Sequence, residues 1–281
     1  MKKLLYLLLV LTIFSCSSDD DNSDDPSNND NNNILVSKIS YDNEDGGSYT
    51  YEENFTYDLN KIVERQDISY YNGSIQNTYR AQFIYSNDLI AQVDYYYNDN
   101  FDARTTFQYD SQSRLTRWEE CYLNSDGSCI SDFTSSFLYN SDGTITVVQS
   151  SYDSSGGVYF DELTLQLNNQ GNIIRATSEN DDCESISSIN YDDNNTPFKN
   201  ITGANLINVV YGLFSDAQIF GFFNNMRSIQ GNETCNNSSD NYSSTINFSY
   251  DYNQYGYPRN IIITETDGGG QYSNTILLEY N

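Results

Sequence analysis

Hydrophobic and polar positions alternate with a period of two over most of the chain. Tyr79, Ala81, Phe83 and Tyr85 share one parity, with Arg80 and Gln82 on the other. Leu163, Leu165 and Leu167 repeat the pattern against Thr164 and Gln166, as do Ile246, Phe248 and Tyr250, and Ile276, Leu278 and Tyr280. Such alternation marks strands with one buried and one wet face, the habit of antiparallel sheets. Turn-forming runs separate them: Asp45-Gly46-Gly47, Asn72-Gly73, Asp126-Gly127, Gly156-Gly157 and Asp267-Gly268-Gly269-Gly270. These dipeptides favour hairpins. The pattern predicts about 15 strands. A flat open sheet that wide is unstable, so it is expected to curl, fold over or close. The predicted fold class is all-β, an antiparallel meander of hairpins forming a curved sheet or partial barrel. A transmembrane barrel fits less well, because lipid-facing strands need a continuous outer apolar band. Here the second face is rich in Ser, Thr, Asn, Gln and Asp.

Residues 199–230 break the alternation. Leu206, Val209, Val210 and Leu213 have helical spacing, which predicts a short helix over about Ala204 to Phe214. This apolar insert is expected to plug the open apolar face or end of the sheet. Phe220, Phe222 and Phe223, with Gly212 and Gly221 nearby, are the candidate lining of a hydrophobic ligand pocket, an alternative use of the same segment.

The first residues follow a different rule. Lys2 and Lys3 precede an apolar run from Leu4 to Phe14, then Ser15 and Cys16. The run is too short to span a bilayer and has the flanks of a segment that is removed. It resembles a bacterial lipoprotein signal peptide over residues 1–15. The resemblance implies that Cys16 receives diacylglycerol and becomes the acylated N-terminus, and two chains suffice for stable anchoring. Residues 17–33 carry no apolar side chain except Pro26 and are expected to act as a disordered acidic tether. Asp19 to Asp21 resemble the surface-export signal of Bacteroidota lipoproteins, which implies the outer face of the outer membrane. Residues 34–281 are then one β domain, an ordinary size for such a fold.

Charge narrows the partners. The chain has 13 basic and 40 acidic residues, a net charge of −27. Nucleic acid is an unsuitable partner, since Lys and Arg supply most of that affinity. The charge also argues against a basic membrane patch. Beyond Cys16 stand Cys121, Cys129, Cys183 and Cys235, an even number that in an exported chain points to disulfides. Three pairings are open. Cys121–Cys129 is favoured, because a hairpin turn lies between them, and Cys183–Cys235 would then pin the insert. A zinc site is disfavoured by the lack of His and of a CxxC pair.

A repeat runs through the body. Tyr109-Asp-Ser-Gln-Ser-Arg-Leu is followed by Tyr139-Asn-Ser-Asp-Gly-Thr-Ile, Leu167-Asn-Asn-Gln-Gly-Asn-Ile, Tyr191-Asp-Asp-Asn-Asn-Thr-Pro and Tyr252-Asn-Gln-Tyr-Gly-Tyr-Pro. Tyr57-Asp-Leu-Asn-Lys-Ile and Tyr85-Ser-Asn-Asp-Leu-Ile are shortened forms, and a further start stands at Tyr280-Asn281. Most starts lie 24 to 30 residues apart, the length of a two-stranded unit and the signature of a repeat architecture. The aromatic closes a strand, the Asp or Asn caps the turn with its own side chain, and the fifth position, mostly Gly or Asn, tolerates positive φ. The pattern resembles the YD repeat of Rhs-type proteins, and more closely the small Bacteroidota lipoproteins of unknown function with YD-like repeats. That resemblance implies a curved antiparallel sheet or partial barrel.

The inventory of chemistry is thin, and the chain is read as no enzyme. Without His there is no Ser-His or Cys-His pair, and the Gly-rich turns lack the helix and Lys of a phosphate loop. Glu119 and Glu120 beside Trp118 are the one carboxylate pair worth naming for glycosidase chemistry. No cofactor is expected. Calcium is the candidate ion, at Asn124-Ser-Asp126, Asn140-Ser-Asp142, Asp181-Asp182 and Asp192-Asp193. Aromatic side chains give the most concrete binding reading: Trp118, Tyr95, Tyr96, Tyr97, Tyr70 and Tyr71 offer faces on which a glycan can stack. Alternation turns Tyr96 away from Tyr95 and Tyr97. The expected function is a non-catalytic, lipid-anchored cell-surface protein that binds or scaffolds extracellular material, glycan first. The alternatives are an accessory subunit of an outer-membrane complex and a carrier of a hydrophobic ligand.

Overall fold

The computed structural model describes residues 34–42, 49–123, 129–152, 158–179, 182–204, 223–237 and 241–281. The side chains of 42, 123, 129–132, 152, 158 and 159 lie outside that description. The strands run in chain order: β1 (Val36–Asp42), β2 (Tyr49–Asp58), β3 (Lys61–Tyr71), β4 (Ser74–Ser86), β5 (Leu89–Tyr97), β6 (Asn100–Tyr109), β7 (Leu115–Leu123), β8 (Cys129–Tyr139), β9 (Thr144–Tyr152), β10 (Val158–Leu167), β11 (Ile173–Glu179), β12 (Cys183–Tyr191), β13 (Met226–Cys235), β14 (Tyr242–Tyr252), β15 (Pro258–Asp267) and β16 (Gly270–Tyr280).

Every strand pairs antiparallel with its sequence neighbours, and β1 pairs with β16, so the meander is a closed barrel. This corrects the expected curved sheet or partial barrel. Closure removes the two exposed edges that an open sheet would have to protect. Among the described residues there is no α-helix. The helix expected over 204–214 falls, from 205 onward, outside the described residues.

The two ends of the barrel are built differently. At one end sit the repeated turns. In the turn after β6, Asp110 accepts the backbone N–H groups of Gln112 and Arg114 at 2.8 and 3.0 Å, and its own N–H donates to Arg114 O. Asn168 and Asn253 do the same in their turns. Ser113, Gly143, Gly171 and Gly256 all have positive φ, the conformation assigned to the fifth motif position, whereas Asn195, where the insert interrupts the turn, does not. The next strand then opens with a buried apolar residue: Ile62, Ile90, Leu115, Ile145 and Ile173. In most units one bulged residue follows, as the register shifts beside Tyr57, Tyr85, Tyr109, Leu167, Tyr191 and Tyr252 record. Bulges of this kind increase local twist and are common at barrel rims.

The motif aromatic does more than fill space. Tyr109 OH donates to Ile90 O at 2.8 Å, Tyr139 OH to Leu115 O at 3.0 Å and Tyr191 OH to Ile173 O at 2.8 Å. Tyr57 bonds Val36 O and Tyr280 bonds Pro258 O in the same way. Each hydroxyl therefore ties one repeat to the opening residue of the repeat before it. Tyr252 OH is taken by Asp192, and Tyr250, two residues earlier, bonds Met226 O at 2.6 Å instead.

The insert is spliced into one of these turns. Asp192 N–H donates to Asn225 O, the bond that closes the ordinary turn, so residues 193–224 leave and return at a single motif position. Its described start crosses the motif end. Phe198, Ile201 and Ala204 are buried, Thr202 N–H bonds Asn60 O, and Gly203 sits against Asp88 O. Gly203 has a φ of +79° and an added Cβ would stand 2.7 Å from that carbonyl, so no larger residue fits. This part of the insert covers the apolar end of the barrel as a plug. The core beneath it includes Phe55, Phe83, Phe107, Phe137, Leu165, Phe248 and Leu278.

Replacing Tyr250 by Phe removes a hydroxyl whose partner carbonyl is buried. The expected cost is about 1–2 kcal/mol, from the lost bond and the stranded acceptor. Urea unfolding should show it as a lower midpoint with an unchanged slope.

Candidate functional site

Register and burial assign the two faces. Phe55 faces inward, so its cross-strand partner Arg65 does too, and with them Glu53, Asp67, Tyr51 and Ser69. The same reasoning carries round the wall to Tyr79, Ala81, Tyr95, Ala103, Thr105, Trp118, Glu120 and Tyr122. The interior therefore changes character along its length. Toward the repeated turns it is apolar. Toward the variable hairpins it becomes polar and aromatic.

The polar part includes deeply buried charge. Arg65 is 4% exposed, Asp67 2% and Glu53 0%. Arg65 Nη2 lies 2.8 Å from Asp67 Oδ2, and Tyr41 OH donates to Glu53 at 2.5 Å. Buried ions persist only when paired and hydrogen-bonded. Beside this pair is a cavity of about 320 Å³, bordered by Arg65, Asp67, Tyr79, Ala81, Tyr95, Ala103, Glu120 and Tyr122, with Arg80, Tyr96 and Asp102 completing its lining. Its size lies at the low end of small-molecule sites. A second cavity of about 550 Å³ lies between β9 and β12, with Gln149, Asp161, Leu163, Ser178, Ser185 and Ser187 on its wall.

The six aromatic candidates divide between the faces. Trp118, Tyr95, Tyr97 and Tyr71 point inward. Trp118 stacks on Phe133 at 5.0 Å, Tyr97 packs on Tyr79 at 4.8 Å and Tyr71 on Tyr49 at 4.7 Å. Tyr95 borders the smaller cavity. Tyr96 and Tyr70 point outward. Arg80 lies 4.2 Å above the Tyr96 ring, and Tyr70 OH donates to Glu52 at 2.8 Å. No single platform holds all six. Glu119 and Glu120 are likewise separated. Glu119 pairs outside with Arg117 at 3.2 Å, whereas Glu120 faces inward and accepts from Tyr122 OH and from Thr105 Oγ1. The inner set including Tyr79, Tyr122, Arg65 and Asp67 escaped the sequence reading, because charged positions in β3 read as a wet face.

Of the cysteines, Cys183 and Cys235 form a disulfide across β12 and β13, at the end of that ladder opposite Tyr191 and Met226, where the insert leaves and returns. Cys121 is also disulfide-bonded, and the Cys129 side chain lies outside the described residues, as does Cys16. Phe220 and Phe222 fall outside them too, while Phe223 packs against Gly171.

The calcium candidates serve the turns. Asn140 donates to Thr144 and Thr146, and Asp142 accepts from the backbone and hydroxyl of Thr144. Asp192 is buried and accepts from Asn194 N, Asn225 N and Tyr252 OH. Burial, and then the Asp192 acceptor, push the Tyr252 hydroxyl well above its ordinary range. Asp181 and Asn124 to Asp126 lie outside the described residues. Among the described residues one cluster has metal-ligating types, Cys183, Glu233 and Cys235, and its sulfurs are spent in the disulfide.

The outer face is polar. Asp94 holds Arg104 through two contacts at 2.7 and 3.1 Å, and Lys38 Nζ lies 2.5 Å from Glu52. Exposed apolar residues are interrupted: Leu138 stands opposite Thr146, Val148 between Ser136 and Glu162, and Leu277 between Ser40 and Asn260. The described wall therefore carries no continuous apolar band of the kind a membrane-spanning barrel needs.

No family model and no curated protein matches this chain. Among solved structures it resembles a porin-like protein from Bacteroides uniformis, at 12% identity and a TM-score of 0.51, over 88% of this chain and 98% of that one. A DUF3836 family protein from Parabacteroides distasonis matches 43% of this chain and 92% of that one at 13% identity and a TM-score of 0.23. The first likeness is one of fold, a closed antiparallel barrel.

The outer cluster has a pH signature. Burial pushes the Glu52 carboxyl up, but bonds from Lys38, Tyr70 and Asn54 outweigh it and hold it below the ordinary 4.5. Its stabilisation is therefore complete above that value and is lost as pH falls through the lower folded pKa. Glu52→Gln should lower the melting temperature at neutral pH and converge on the parent as pH falls below about 4.5, so that the acid limb of the profile is flatter.

Proposed function

We propose that this chain is a lipid-anchored, non-catalytic binding protein of the outer envelope, and that its barrel takes extracellular glycan at the variable-turn end. The observation that carries the reading is the inner face at that end, where aromatic rings and carboxylates surround a cavity. Aromatic faces provide stacking, and carboxylates and hydroxyls take sugar hydroxyls. The plug over the opposite end and the polar outer wall favour a cup over a channel. The lipoprotein-like start, the acidic run at Asp19 to Asp21 and the porin-like relative in fold support placement at the outer membrane. The repeated Tyr-Asp turns support kinship with the YD-repeat lipoproteins.

A second reading is an accessory subunit of an envelope complex. It draws on the exposed rim aromatics Tyr49, Tyr71, Tyr79, Tyr97, Tyr122, Tyr242 and Tyr272, which offer contact area to a partner protein. The carrier reading depends on Phe220 and Phe222 and has less behind it.

A glycan array probed with the full chain, with and without calcium, separates these. The expected result is saturable binding that falls about tenfold or more in Trp118→Ala and Tyr95→Ala. Tyr70→Ala, which alters the outer face away from this cavity, should bind as the parent does. Absence of binding in every condition would favour the accessory-subunit reading. Anchoring has its own test: Cys16→Ala should release the protein from the membrane fraction, and retention there would refute lipidation at this residue.

A further inference from the structure

We infer that the cavity among Arg65, Asp67, Tyr79, Tyr95, Glu120 and Tyr122 selects saccharides that carry a free, protonated amine. This rests on the glycan reading and names the class of glycan.

The argument starts from charge balance. Arg65 and Asp67 neutralise each other at 2.8 Å, and both are buried. Glu120, on the same wall, accepts from the neutral hydroxyls of Tyr122 and Thr105. Among the described residues no cation pairs with it, and its carboxylate borders the cavity. Arg80 borders the opening, but from the outer face, where Glu64, Asp99 and the Tyr96 ring engage it. Among the described inner-face strand positions, Arg65 is the one cation. Glu53, Asp67, Glu120, Asp161, Glu233 and Glu265 all carry carboxylates there. At the cavity itself Asp67, Asp102 and Glu120 stand against Arg65 and Arg80, and a surplus of one sign in a cleft concentrates ligands of the opposite sign.

Shape and aromatic lining give the rest. Ala81 and Ala103 leave room between the rings of Tyr79, Tyr95 and Tyr122. Tyrosine faces hold sugar rings by stacking and attract an ammonium by cation–π interaction. A simple aliphatic amine satisfies Glu120 but offers no ring to stack. A neutral sugar stacks but leaves Glu120 uncompensated. An acidic sugar meets repulsion. An amino sugar satisfies both requirements.

Calorimetric titration of the full chain with tetrasaccharides of glucosamine, N-acetylglucosamine and glucose tests the inference. The glucosamine form should bind at least tenfold tighter than the other two, and added salt should erode that preference. Glu120→Gln, which keeps the acceptor for Tyr122 and removes the charge, should bring the three into line. Equal affinity of the parent protein for amine and N-acetyl forms overturns the inference while leaving the glycan reading intact, as does a preference that survives in Glu120→Gln. No binding of any saccharide, here and on the array, overturns both. If the variant fails to melt cooperatively, the amine comparison on the parent protein decides alone.

Discussion

The pairing of β1 with β16 is the constraint on which this fold depends, and the seam is built as a repeat turn with its loop missing. Asn281 N–H donates to Leu35 O, the bond that Asp110 makes to Arg114 within an ordinary turn. Tyr280 faces Val36 across a register shift, as Tyr57 faces Ile62 and Tyr109 faces Leu115. Val36 is fully buried, like Ile62, Ile90 and Leu115. The two ends of the domain therefore complete one more unit between them. Closure needs no interaction of a new kind, only the repeat applied once across the termini. Without it β1 and β16 would be edges, and Ile39 and Leu278, now packed inside, would lose their cover.

The repeat also explains why the interior has two chemistries. Most motif turns bring a Tyr, a capping Asp or Asn and a buried aliphatic to the same end, so that end is largely uniform and apolar. The tyrosine hydroxyls then fasten one unit to the previous one through backbone carbonyls, which leaves the side chains of the far half free of that duty. The far half is where Glu53, Arg65, Asp67 and Glu120 stand. Stability concentrated at one end lets the other carry buried charge, which rarely stabilises a core by itself. Functional sites are expected where such local rules are broken.

Much of this was legible in the chain. Alternation gave strands, the Tyr-Asp motif gave the turns, and Ser113, Gly143, Gly171 and Gly256 occupy the left-handed position that spacing assigned to them. Closure was not legible, because it depends on register between residues near 36 and residues near 280, and no local pattern encodes that pairing. The inner polar site was hidden for a second reason. The bulged residue beside Ile62 reverses parity in β3, so alternation counted from Ile62 would place Glu64 and Gln66 inside, whereas Arg65 and Asp67 take the inner face. A reading that assigns charge to the wet side inverts that strand beyond the bulge. The separation of Tyr95 and Tyr97 from Tyr96 follows from alternation alone. Which of them looks inward does not, because register with β4 decides it.

The likeness to a porin-like protein is one of fold and assigns no role, and the chemistry of the described wall is what favours the receptacle we propose over a conduit. A conduit needs two open ends and, in a membrane, an apolar outer wall. Here Phe198, Ile201 and Ala204 lie over the motif end, and the outer wall pairs Arg104 with Asp94 and Lys38 with Glu52. Both features favour the proposed receptacle. A net charge of −27 repels anionic surfaces and other copies of the chain. On the inner face the same surplus of carboxylates, Glu53, Asp67, Glu120, Asp161, Glu233 and Glu265 against Arg65, is the physical basis for the cationic ligand we infer.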